Sequence, residues 1–123
     1  MKTTLFGIVG VLLAGSVTLA AETTWTGVIS DSHCGAIHRS DVEHGGKITA
    51  RECIIGQVGN AAIPGCVSTQ HGATFVLVVG DKVYNITNQD FAGLRVHAAD
   101  TVKMTGTLRG DAITVSRIVM AAR

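Results

Sequence analysis

Aromatic side chains are scarce in this chain. One Trp, one Tyr and three Phe make up 4% of its 123 residues. Trp25 and Tyr84 could together form a stacking surface for bases or sugars, but with so few rings Trp25 is assigned to the core. Charge is thin as well, at 15% of residues, and no block of one sign occurs. Ten Lys and Arg face nine Asp and Glu, and Lys2 lies in the apolar start, which leaves nine against nine beyond it. So even a balance supplies no basic field for a polyphosphate and no polybasic membrane patch. There is one proline, and Val, Ile and Thr are abundant, which excludes a disordered composition. No apolar run reaches the ~20 residues of a bilayer span.

The longest apolar run, residues 5–14 (LFGIVGVLLA), follows the positive Lys2 and precedes small residues. Thr18 and Ala20 occupy the −3 and −1 positions of a cut before Ala21. This is the build of a secretory signal peptide over residues 1–20, directing a bacterial chain to the periplasm or beyond. No stable membrane span is expected after its removal. Residues 21–123 then form one small domain of about one hundred residues.

Beyond the signal, period-two patterning predicts strands at 24–30, 73–79 and 82–87, a short helix within 87–100, and strands at 101–108 and 112–120. Trp25 and Ile29 share one face of the first. The second (ATFVLVV) is apolar on both faces, as in a strand covered on two sides. Thr87 or Asn88 is expected to cap the helix, Asp90 to favour its first turn, and His97 to sit against its C-terminal dipole. Val102, Met104 and Leu108 alternate inward. Ile113 and Val115 fall out of phase with Ile118 and Met120, so a bulge near Ser116 and Arg117 is expected. The fold class is therefore all-β with one short helix, in the order β-β-β-α-β-β. That is the order of a five-stranded OB-like barrel, with residues 31–73 as a long insertion between strands 1 and 2, and a flat sandwich of the same strands is the alternative.

The insertion holds all three cysteines, Cys34, Cys53 and Cys66, and four of the five histidines. Its middle (GQVGNAAIPG) is glycine-rich and without helical or strand periodicity. A loop of this length is functional, disordered or tied down. A disulfide is the first reading, because exported cysteines tend to pair. Cys34–Cys66 would staple the loop at its base, and Cys34–Cys53 is the other pairing. Either removes denatured-state entropy worth about 3–4 kcal/mol. The odd cysteine could join two chains. The second reading is a zinc or copper site drawn from His33, Cys34, His38, Cys53 and Cys66, whose donor types fit although no C-x₂-C pair is present. A reactive thiol comes third, since His33 and Cys34 are sequence neighbours that point apart on an extended chain.

Smaller signals resolve more simply. "RGD" at 109–111 reads as a turn between strands. "NIT" at Asn85 lies in an expected strand, which discounts glycosylation. Asp31 is expected to make a turn with Ser32, and remains a candidate at the ligand surface together with Trp25 and Tyr84.

Three segments carry a resemblance: TGVISDSHCG, GCVSTQHGATFVLVVGDKVYNITNQD and VKMTGTLRGDAITVSRI. They resemble small secreted bacterial proteins of unknown function with an OB-fold-like domain. The matching positions are Gly27, Ile29, Ser30, Asp31, Ser32, Cys34 and Gly35, then Cys66, Val67, Gly72 and Ala73, and finally Val102, Thr105, Gly106 and Thr107. Twelve residues separate Cys53 from Cys66, which stand close together in that pattern. Phe75 replaces a tyrosine, and Ala98-Ala99 stands where a glycine turn is common. The resemblance implies an exported OB-like domain and no established activity. The expectation is a non-enzymatic binding module whose partner is a small molecule, a metal ion or an exported protein. Nucleic acid is disfavoured by the neutral charge and by export.

Overall fold

The computed structural model describes residues 15–16, 20–35, 50–58, 61–62 and 72–122. Most of the expected signal segment and three stretches of the insertion (36–49, 59–60 and 63–71) lie outside them. Five strands form one sheet: β1 (Thr23–Asp31), β4 (Phe75–Val79), β5 (Lys82–Ile86), β6 (Thr101–Arg109) and β7 (Ala112–Met120). The neighbour order is β1-β4-β5-β7-β6, and β1 pairs with both β4 and β6, which closes the sheet into a barrel. Closure leaves no long row of unpaired backbone groups at a sheet edge.

The strand that closes the ring changes partners midway. Residues Thr23 to Val28 of β1 pair with β6, and Val28 to Asp31 pair with β4. Gly27 sits at this crossing, where a Cβ would lie 2.4 Å from the Val78 carbonyl oxygen. On the far side, β6 and β7 shift register between Thr105 and Gly106: Thr105 faces Arg117 while Gly106 faces Val115. Ser116 is the extra residue, a bulge that adds bend where the sheet curls. β5 and β7 are parallel and share only two register pairs, Asn85↔Ala112 and Ile86↔Ile113.

The core fills the barrel with Ile29, Leu77, Ile86, Val102, Met104 and Ile113, all at 5% exposure or less. Four of the five residues of β4 are buried, so both faces of that strand are covered. The inward alternation of β6 ends early. Val102 and Met104 are fully buried, but Leu108 is 39% exposed because it lies beyond the filled interior. The same holds on β7, where Ile118 packs against the core and Met120 is 49% exposed. Both residues were expected to face inward.

Two short helices are present among the described residues, where one was expected: α1 (Ala50–Ile55) and α2 (Ala92–Val96). α2 lies between β5 and β6 and inserts Leu94 into the core. Its N-cap is Phe91, without a side-chain cap, so neither Thr87 nor Asn88 performs that role. α1 belongs to the insertion, as does a two-stranded ladder of β2 (Gln57–Val58) and β3 (Ala61–Ala62). The described part of the insertion thus carries regular structure that its glycine content did not suggest. Gly56, at φ +72, ends α1 in the left-handed conformation that glycine adopts without strain.

After α2 the chain turns back through Ala98 and Ala99, and the Ala99 N–H donates to the Ile29 carbonyl at 2.8 Å. Ala99 is the one non-glycine at positive φ among the described residues, at +69. A Cβ in this region costs about 1–2 kcal/mol. Part of that is recovered on Ala99→Gly, since glycine also loses more freedom on folding. The substitution is expected to stabilise the chain by about 1 kcal/mol and raise Tm by about 4–8 °C. Thermal unfolding followed by circular dichroism checks this, and an unchanged or lower Tm contradicts it.

Candidate functional site

The segment SDSHCG builds the end of β1. The Ser32 N–H donates to the Thr74 carbonyl at 2.8 Å, and the Thr74 N–H donates to the Ser32 hydroxyl at 3.0 Å, which extends the β1–β4 ladder by one side chain. Asp31 is fully buried, and its Oδ1 accepts the backbone N–H groups of His33 and Cys34 at 2.9 and 2.8 Å. A short carboxylate accepting from residues two and three positions on fixes the turn at 32–35. Asp31 is therefore a turn-former rather than part of an open ligand surface. Exposed His33 and half-buried Cys34 ride on that turn.

Cys53 lies on α1 at 1% exposure. The structure holds no disulfide between it and Cys34. The alternative Cys34–Cys66 bridge involves a residue outside those described, as does any metal set that includes His38. Among the described residues no three His, Cys, Asp or Glu side chains converge into a metal site. His33, Cys34 and Cys53 thus do not assemble one together with Asp31.

Trp25 and Tyr84 do meet. Their ring centroids are 6.0 Å apart at 43°, and the Lys82 ammonium stands 4.7 Å from the Tyr84 centroid. Both rings are half-buried and pack against the core cluster. The pair closes part of the interior, with the ammonium over the ring as a cation–π contact. His97, at the C-cap of α2, has its Nδ1 3.3 Å from Asp100 Oδ2.

A concavity lies where the insertion meets the barrel. α1 is anchored by Ile54, which is 1% exposed and part of the core cluster. The neighbouring turns of α1 direct Arg51 and Ile55 toward α2. Arg51 donates to the Val96 and Ala98 carbonyls at the end of α2. Reciprocally, Arg95 on α2 donates to the Ile55 carbonyl at the end of α1, at 3.1 Å. Helix ends expose unsatisfied carbonyls and partial negative charge, and a guanidinium supplies both donors and opposite charge. Each helix thus supplies a donor to the carbonyl end of the other.

Between them runs an open groove of about 680 Å³, within the size range of small-molecule sites. Its walls are Ile55, Phe75, Phe91 and Val96, and its polar groups include Arg51, Arg95, Thr74 and Asp90. Gln89 also borders it, but its amide is committed to the backbone of Phe75 and Ile86. Sequence reasoning missed this place. The signal was present in ARECII, where an arginine precedes paired isoleucines, but six residues are too few to show a helical period.

No helix among the described residues is long and apolar enough to cross a membrane. Comparison with family models, with curated proteins and with solved structures found no match for the chain.

Proposed function

We propose that the chain is an exported, non-enzymatic binding module on an OB-like barrel that captures a small molecule in the groove between α1 and α2. The ring order, the parallel β5–β7 contact and the helix between β5 and β6 support the OB-like assignment. The apolar N-terminal run supports export. One observation carries the binding reading. The insertion seats Ile54 in the core yet leaves Ile55, Arg51 and Val96 around an open cleft. Val96 is 58% exposed, the highest value among the large hydrophobic residues described. A small molecule entering there removes apolar surface from water, worth about 25 cal/mol per Å² before the cost of association.

Ala92 is exposed on α2 and lines the groove, so Ala92→Trp fills the cleft from the solvent side without touching the core. A fragment library is screened against the purified chain by ligand-observed NMR. Compounds that bind the wild type and are lost in A92W, at unchanged Tm, support the reading. If binding fragments keep their signal in A92W, or none binds at millimolar concentration, the groove is not the site.

A further inference from the structure

We infer that the groove selects small organic anions: a carboxylate borne on a flat apolar body. This rests on the groove being the binding site. Arg51 and Arg95 bring two guanidinium groups to the α1–α2 junction, and the hydrogen bonds they make are to backbone carbonyls. Neither has a carboxylate partner among the described residues. Among the described residues the groove contains one acidic side chain, Asp90, which is exposed and makes no ion pair with either arginine. Two cations against one anion leave an excess positive charge in a cleft whose other walls are Phe75, Phe91, Ile55 and Val96.

A guanidinium carries five donors in a planar fork. One or two bonds to helix-end carbonyls leave donors on each arginine for an incoming carboxylate. Arginine also suits this duty better than lysine, because its fork matches two carboxylate oxygens and its weakly hydrated plane tolerates apolar neighbours. The apolar walls contribute affinity, while the guanidiniums decide the sign of charge that is admitted. Asp90 works against an anion, so its removal strengthens binding of one.

The test uses two probes with the same bicyclic body and opposite charge, 2-naphthoate and 2-naphthylmethylamine, titrated calorimetrically into the purified wild-type chain. The carboxylate is expected to bind about ten-fold more tightly than the amine, the scale of one charge-assisted hydrogen bond. Asp90→Asn is expected to raise naphthoate affinity, and Arg51→Gln with Arg95→Gln to abolish the preference. Because each arginine also clasps the opposite helix, the comparison of probes on the unmodified chain is the deciding measurement. If the amine binds as tightly as the carboxylate and A92W blocks both, the groove stands and charge selection is overturned. If A92W blocks neither, the binding site itself is misplaced and both readings fall.

Discussion

Gly106→Ala is expected to destabilise the barrel by about 3 kcal/mol and to lower Tm by roughly 15 °C. The reason is space rather than backbone freedom. A Cβ at Gly106 would lie 2.2 Å from the carbonyl oxygen of Thr114 and 3.0 Å from Ile113 Cγ2. The oxygen belongs to the backbone of the bulged strand, so no rotamer change relieves the contact. β6 is held here on both sides, by Thr23 of β1 and Val115 of β7, and the sheet must open to admit the methyl group. Gly110 supplies the control. It sits at φ +61 in the turn between β6 and β7, and a methyl group there would meet nothing within 4 Å. Gly110→Ala therefore costs only the left-handed strain, about 1 kcal/mol. Chemical denaturation of both variants decides the matter: equal losses, or a greater loss at Gly110, would contradict close approach as the reason for Gly106.

The strands were legible because their residues bury in period two along one continuous segment. Val102 and Met104 lie at 0% exposure, and the phase change between Val115 and Ile118 marked the bulge at Ser116. Leu108 and Met120 fit the same alternation yet reach past the filled interior, and pattern alone does not say where a barrel ends. The arginine clasp was not legible, because its partners lie 45 and 40 positions apart and its helices are too short to show a period. The Asp31 turn was partly so: the residue type announced a local bond to the following backbone, but its complete burial comes from how β1 pairs with β4. Asn88 misleads for an instructive reason. A polar amide just before a helix has the chemistry of a cap, and sequence gives no sign that a distant strand offers a better partner.

That partner makes Asn88 and Gln89 the second place where a large effect is expected. β5 leaves the sheet after Ile86, while β4 and β7 still present backbone groups that need partners. Asn88 takes over on one side: its Oδ1 accepts the Val115 N–H and its Nδ2 donates to the Val115 carbonyl, both at 2.8 Å. Gln89 takes over on the other, accepting the Phe75 N–H at 2.7 Å and donating to the Phe75 and Ile86 carbonyls at 2.9 and 2.8 Å. The two side-chain amides thus act as one further residue of strand β5, bonding to β7 and β4 at once. Phe75 and Val115 are at most 5% exposed, so backbone groups left there without partners meet little water. Each such group costs about 1–3 kcal/mol. Gln89→Met preserves length and removes all three bonds, with an expected loss of about 3 kcal/mol. Asn88→Leu is expected to cost a similar amount. Amide hydrogen exchange separates this from general loosening: Gln89→Met should strip protection from the Phe75 amide first, and Asn88→Leu from the Val115 amide. Protection lost evenly across the barrel in both variants would mean that these amides do not stand in for a strand.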